Sequence, residues 1–238
     1  MQELIDSGRY KVTEVLRSHY GYEAALCCDV TVSSGEMCIV NQYGSMAYIR
    51  ELLPLFYTME KLHFSGLKSL LTDSGSFSAV FVYRQGQPFA EFCKRKRHDY
   101  ETSLKLADSM LCNALEFDLA DDRIAAAGLM EENAVVDVTA QKVYFNLLLD
   151  PDCTGTGPFR TKRLGEMLNS LFERDRYFPD EIGIYIDKLR SGGYTGCAAA
   201  YSAWREIQPA AEKTREAYLK ESFFKSVFRR LRSRKKRK

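Results

Sequence analysis

Hydrophobic and polar residues alternate over the first third of the chain in the way expected of β-strands. Residues 10–32 alternate well enough for two strands around a turn at residues 19–23, and residues 37–43 and 78–83 are two further apolar strands. Between them, apolar side chains recur at helical spacing over residues 46–62. The pattern therefore predicts a sheet-rich unit that carries one helix.

The rest of the chain is predicted to be mostly helical, with one hairpin. Two short apolar runs, Ala134–Val136 and Val143–Leu149, are joined by a polar turn and predict that hairpin. Apolar positions at three- and four-residue spacing predict helices over residues 100–117, from 164, 180–189 and 197–207. Trp204 is predicted to anchor the helical core.

The stretch from Ala126 to Leu148, which includes this hairpin, resembles the catalytic loop of protein kinases, H-R-D-L-x-x-x-N followed by D-F-G. Leu129 falls on the Leu of the motif and Asn133 on its Asn. Thirteen positions later, Asn146 falls where the D-F-G Asp would stand. The order of strands, hinge (residues 82–89), long helix and hairpin supports the same resemblance over about residues 8 to 150. It implies an α+β, two-lobed protein-kinase-like fold with a shortened helical C-lobe.

The residues that carry kinase chemistry are replaced at the matching positions. The H-R-D Asp becomes Gly128, the D-F-G Asp becomes Asn146, and the V-A-I-K lysine becomes Asn41. A neutral amide is a poor substitute for a carboxylate that holds Mg²⁺ against phosphates. The resemblance therefore implies a pseudokinase, with no catalytic residue, no cofactor and no metal site, and we predict that the chain is not an enzyme. Asn133 is able to ligate a metal on its own, but an Asn at a turn more often bonds the backbone.

The glycine-rich phosphate loop is also reduced. Of the three kinase glycines only Gly21 remains, and Arg17 and His19 lie near the first two positions. A segment of about fifteen residues, without an A-P-E motif, follows Leu148 in place of the longer kinase activation segment. The loop that binds phosphates in kinases and the segment that presents the protein substrate are therefore both incomplete in this sequence.

Composition limits the class of protein. With 45% hydrophobic and 28% charged residues, the chain is long enough to bury a core, and it has neither a signal-peptide pattern nor an apolar run that spans a bilayer. Seven cysteines without a C-x-x-C pair favour reduced thiols. The three histidines are scattered along the sequence, so no metal cluster is predicted.

The charge is distributed unevenly. The last fourteen residues carry nine basic and no acidic side chains, while the remaining 224 residues have a net charge of −7. The nine basic residues are predicted to contact a membrane or another polyanion: Lys225, Arg229, Arg230, Arg232, Arg234, Lys235, Lys236, Arg237 and Lys238. Apolar residues interleave with them, as in juxtamembrane segments.

Three hypotheses about function follow. The first is a catalytically inactive pseudokinase domain that acts as a protein-interaction or scaffold module at the cytoplasmic face of a membrane. Its layout is similar to bacterial membrane proteins with a cytosolic pseudokinase module, such as the EssB family of type VII secretion. The second is an atypical kinase-fold phosphoryl or nucleotidyl transferase with relocated catalytic groups, and the third is nucleic-acid binding through the basic tail. The expected division is a sheet-rich N-lobe (8–83), a mostly helical C-lobe (84–207) and a basic amphipathic tail (208–238).

Overall fold

The protein folds into two lobes. The computed structural model describes residues 4–5, 8–95, 99–153, 159–173 and 178–235. An antiparallel sheet with one helix comes first, and a mostly helical lobe follows. The predicted α+β class with two lobes is confirmed.

The first lobe is a six-stranded sheet in the order β1-β2-β3-β4-β6-β5. Its elements are β1 (Leu4–Ile5), β2 (Tyr10–His19), β3 (Tyr22–Asp29), β4 (Glu36–Tyr43), α1 (Met46–Lys61), β5 (Leu67–Asp73) and β6 (Ser76–Val82). The edge strand β5 was not expected from the sequence. Its leucines at 67, 70 and 71 do not alternate with polar residues, so the period of a strand is absent there.

Both faces of this sheet are covered in its centre. On the face that packs against α1, Tyr43 stacks on Phe77 with ring centroids 4.6 Å apart. The ring of Phe56, from α1, contacts both, with centroid distances of 5.6 Å to Tyr43 and 5.5 Å to Phe77. On the opposite face Cys27 and Cys38 are fully buried neighbours across β3 and β4. Burial on both faces explains why the centre of β4 is a continuous apolar run.

The turn between β2 and β3 requires glycine. Gly21 has φ +75°, and a Cβ built on it would lie 2.8 Å from the Cβ of Ser45. A side chain here would therefore strain the backbone and collide with the residue that precedes α1. This close approach holds the tip of the β2–β3 hairpin beside α1.

The second lobe contains six helices and a small sheet within the described residues. The helices are α2 (Phe89–Arg95), α3 (Tyr100–Ala114), α4 (Asp122–Gly128), α5 (Phe159–Phe172), α6 (Asp180–Arg190) and α7 (Cys197–Lys235), and a 3-10 helix spans Leu115–Leu119. The small sheet has the order β7 (Gln87–Pro88), β8 (Ala134–Asp137), β9 (Lys142–Phe145). The predicted hairpin is thus present, although its second strand ends at Phe145 rather than at Leu149.

The helical core is built around Trp204. Its side chain is fully buried, and its ring lies 5.4 Å from Tyr185 and 6.4 Å from Phe172, measured between centroids. The predicted core anchor is confirmed. One continuous apolar cluster extends from these residues into the first lobe.

Helix α7 is much longer than expected. The sequence predicts a helix that ends at residue 207, whereas α7 continues through Pro209 to Lys235. Most residues after Pro209 are good helix formers, which outweighs the single backbone hydrogen bond that proline removes. The helix therefore crosses position 208, where the tail was expected to begin.

The seven cysteines all lie in the described part of the chain, and none of them forms a disulfide. Cys27, Cys38, Cys93 and Cys197 are buried among apolar residues. Burial raises the pKa of Cys27 and of Cys197 to about 12. These thiols behave as small apolar core residues.

Candidate functional site

Asn41, at the position of the kinase lysine, connects the two lobes. It is fully buried on β4. Its Nδ2 donates to the carbonyl of Leu147 (2.8 Å), and its Oδ1 accepts from the Leu149 amide (2.8 Å). The Tyr22 hydroxyl donates to the same oxygen at 2.8 Å. The carboxamide thus joins β4 to the chain after β9 by neutral hydrogen bonds.

Tyr43 makes a second bond of the same kind. Its hydroxyl, two residues further along β4, donates to the Leu149 carbonyl at 2.7 Å. Burial raises the pKa of Tyr43 well above its usual value, so the hydroxyl keeps the proton that it donates. Asn41 and Tyr43 together fix strand β4 to residues 147–149.

Asn146, at the position of the D-F-G Asp, faces the connection between the lobes. Its Oδ1 accepts from the Arg84 amide (2.8 Å), and its Nδ2 donates to the Arg84 carbonyl (2.9 Å). One carboxamide therefore satisfies both backbone groups of a hinge residue. This pairing suits an amide, because a carboxylate lacks the donor that the Arg84 carbonyl needs.

Asn133 bonds the backbone, as expected of an Asn at a turn. Its Nδ2 lies within hydrogen-bond distance of the carbonyls of Ala127 (2.8 Å), Gly128 (3.3 Å) and Leu148 (3.2 Å). Its Oδ1 is buried and has no hydrogen-bond partner. Asn133 thus joins the end of α4 to the chain after β9 and leaves one buried acceptor free.

Packing excludes a side chain at Gly128, the residue that the sequence resemblance aligns with the catalytic Asp. A Cβ on Gly128 would lie 2.3 Å from Cε1 of the buried Phe117 ring. Real Cβ atoms essentially never come this close to another heavy atom. The aromatic ring thus occupies the space that an aspartate would need.

The β2–β3 hairpin is ion-paired to the helical lobe. Arg17 Nη1 donates to Asp150 Oδ2 at 3.0 Å and Nη2 lies 3.2 Å from Glu132, while His19 Nε2 lies 3.1 Å from Asp150 Oδ1. Burial by itself raises the pKa of Asp150. Hydrogen bonds from the Asp152 amide, Arg17 and His19 outweigh burial and hold that pKa below its usual value.

These bonds converge on one stretch, residues 146–150, which we call the cleft segment. It bonds the hinge through Asn146, strand β4 through Leu147 and Leu149, and the hairpin through Asp150. These are the regions that the resemblance associates with nucleotide binding. In this conformation the chain's own residues bond to all three.

Asp150 and Asp152 were not predicted as functional residues. The sequence places them in a turn, and their only local signal is a pair of acids around Pro151 directly after an apolar run. The structure brings both beside His19, and one ligand atom from each residue lies within 4.8 Å of the others. Sequence reasoning found no metal cluster because His19 and Asp150 are 131 positions apart.

A cavity lies away from this region. It has a volume of about 1150 Å³, is open to solvent, and is lined by α3, the β8–β9 turn, β9 and α7. Its lining includes the charged side chains of Lys105, Asp108 and Arg205. It contains none of the residues that the kinase resemblance singles out.

The basic tail lies at the end of α7. Lys225 to Lys235 belong to the helix, but their side-chain positions are outside the described part of the structure, as are residues Lys236, Arg237 and Lys238 altogether. None of the helices in the described ranges combines the length and apolar character needed to cross a bilayer. The predicted membrane or polyanion contacts stay predictions.

Comparison with known proteins identifies the fold. No protein-family model and no curated protein sequence matches the chain. Its structure is similar to the crystal structure of Rad53 residues 1–466 in complex with AMP-PNP, with a TM-score of 0.60 and 13% sequence identity. The match covers 83% of this chain and 66% of the Rad53 chain, just under two thirds of its length. The fold is therefore that of a protein kinase, as the sequence resemblance implies.

The prediction that the chain is not an enzyme is corrected by this likeness. One similar structure, that of Rad53, holds AMP-PNP, so a fold of this kind accommodates a nucleotide and the prediction does not stand. That prediction followed from the identities of Asn41, Gly128 and Asn146 alone. Replacement of these residues does not remove the chain from an enzyme fold.

Proposed function

We propose that this kinase-like domain acts as a protein-interaction or scaffold module at the cytoplasmic face of a membrane. The observation that carries the proposal is the cleft segment, which bonds to the hinge, to β4 and to the β2–β3 hairpin at once. Two lobes joined in this way present a fixed surface. A preorganised surface favours binding of a protein partner, since little freedom is lost on association.

The membrane part of the proposal rests on the sequence of the tail. Nine basic residues follow Phe224, with the apolar residues Val227, Phe228 and Leu231 among them, and each basic residue near an anionic leaflet contributes about 1 kcal/mol to binding. Because α7 is continuous from the helical core to Lys235, the tail is joined to the domain by helix rather than by a flexible linker. Contact of the tail with lipid would thus orient the whole domain.

Vesicle binding tests the proposal. The full chain should co-sediment with vesicles that contain anionic lipid, and binding should weaken steeply as salt is raised. A chain truncated after Phe224 should lose binding and keep its melting temperature. Tighter binding to duplex or single-stranded nucleic acid than to the vesicles, at equal charge, would instead support the nucleic-acid hypothesis.

A second candidate is a phosphoryl or nucleotidyl transferase with relocated catalytic groups. The likeness to a kinase in complex with AMP-PNP favours it, together with the buried Asn133 Oδ1 that has no partner. The test is incubation with ATP and Mg²⁺ or Mn²⁺, followed by intact-mass analysis of the chain and of added protein substrates. Covalent gain of a phosphoryl or nucleotidyl group would support this candidate over a scaffold.

A further inference from the structure

Three potential metal ligands meet between the lobes. His19 lies at the end of β2, whereas Asp150 and Asp152 lie in the turn after β9. His19 Nε2 is 3.1 Å from Asp150 Oδ1, and His19 Nδ1 is 3.8 Å from Asp152 Oδ2. An imidazole and two carboxylates form a donor set that transition-metal ions bind.

The two carboxylates are oriented by neighbouring donors. Arg17 binds Oδ2 of Asp150 at 3.0 Å, and the Tyr48 hydroxyl donates to Oδ1 of Asp152 at 2.9 Å. In each case the other oxygen faces His19. Hydrogen bonds that fix the distal oxygen of a ligating carboxylate are typical of the groups that support metal ligands.

The spacing and charge fit a divalent ion. Ligands of a tetrahedral ion with bonds of about 2.0–2.1 Å lie about 3.3 Å apart, close to the present 3.1 Å between His19 and Asp150. Oδ1 of Asp150 also accepts the Asp152 amide at 2.9 Å and would retain that bond on ligation. One ligand atom from each of the three residues lies within 4.8 Å of the other two. The exposed side chain of Asp152 (69%) gives an ion access from solvent.

We propose that His19, Asp150 and Asp152 bind a divalent transition-metal ion of the Zn²⁺ type, which joins the β2–β3 hairpin to the cleft segment. The ligands come from both lobes, so the bound ion holds them together. This site is separate from Asn133 and Asn146, where the kinase resemblance places metal ligands. It does not depend on the proposed scaffold function.

Calorimetric titration of the EDTA-treated full chain with ZnCl₂ tests the site, with thermal unfolding as a second readout. The expected result is one ion per chain and a higher melting temperature, because an ion that binds only the folded state stabilises it. His19→Gln and Asp152→Asn should each weaken binding at least tenfold. Glutamine still reaches Asp150 by a hydrogen bond and Asp152 is largely exposed, so both variants should fold.

Three control variants should bind Zn²⁺ as the parent chain does. His63→Asn removes another histidine, Asp187→Asn removes an exposed acid on α6, and Cys112→Ser removes the exposed thiol. Absence of saturable binding to the parent chain would overturn the proposal. So would equal binding by the His19→Gln and Asp152→Asn variants, or loss of binding in Cys112→Ser alone.

Discussion

Replacing Asn41 with alanine should destabilise the protein more than any ordinary surface substitution. The change removes one donor and one acceptor and leaves three partners unpaired, namely the Leu147 carbonyl, the Leu149 amide and the Tyr22 hydroxyl. A buried polar group that loses its partner costs about 1–3 kcal/mol. Since the Tyr22 hydroxyl is free to rotate and these costs are not additive, the expected loss is about 3–5 kcal/mol.

Urea unfolding measures this loss, and hydrogen exchange locates it. Exchange should accelerate more at the Leu149 amide, which loses its acceptor, than at amides in the centre of α3, which exchange only through global unfolding. Gln42→Ala is the matched control, because Gln42 is only partly buried on the other face of β4 and should change stability by less than about 0.5 kcal/mol. A loss below about 1 kcal/mol for Asn41→Ala would refute the view that this carboxamide joins the lobes.

Three further predictions concern packing, pH and nucleotide. Gly128→Ala should lower the free energy of unfolding, measured in urea, by about 1–3 kcal/mol, because even a methyl group would clash with the Phe117 ring. A change within about 0.5 kcal/mol would contradict this explanation. Hydrogen bonds from Arg9 and, to a smaller extent, from Thr31 lower the pKa of Asp29 to about 2. The ionised carboxylate therefore stabilises the fold at neutral pH, and this stabilisation should be lost as pH falls from about 3.8 towards 2. The melting temperature should fall less over that interval in Asp29→Asn than in the parent chain, and an equal fall in the two proteins would contradict this. Millimolar ATP, with or without Mg²⁺, should raise the melting temperature little while the cleft segment bonds the hinge and β4; a rise of several degrees would show that nucleotide displaces it.

Local patterns in the sequence predicted much of the fold. Alternation identified β2 and β3, continuous apolar runs identified β4 and β6, and helical spacing identified α1, α3, α5, α6 and the first part of α7. These signals depend on residues within a few positions of each other. Trp204 was recognised as a core residue from its type and context. The end of α7 was predicted wrongly, because the predicted helix ended before Pro209. The sequence after Pro209 contains no strong stop signal other than increasing charge, and the helix continues there.

The candidate site was predicted only in part. Comparison with the kinase motifs identified the positions of Asn41, Asn133 and Asn146. For Asn41 and Asn146 it indicated only the loss of a charged kinase residue, not the contacts that the asparagine makes. Their observed partners are distant in sequence: Asn41 bonds residues more than 100 positions away, and Asn146 bonds Arg84 across 62 positions. Periodicity carries no information about such pairs. The approach of His19 to Asp150 was unpredictable for the same reason.

The length of α7 has a consequence for the orientation of the domain. Of the helix residues whose side chains the structure describes, 197–220, Ala211 is the last that is fully buried. Lys235 lies 24 positions further along the helix, a rise of about 36 Å at 1.5 Å per residue. One residue inserted into this part would rotate the far end by about 100° relative to the lobes, whereas seven residues, nearly two turns, would almost restore its direction. A partner that must contact both the domain and the tail would therefore respond to the helical phase of an insertion as well as to its length.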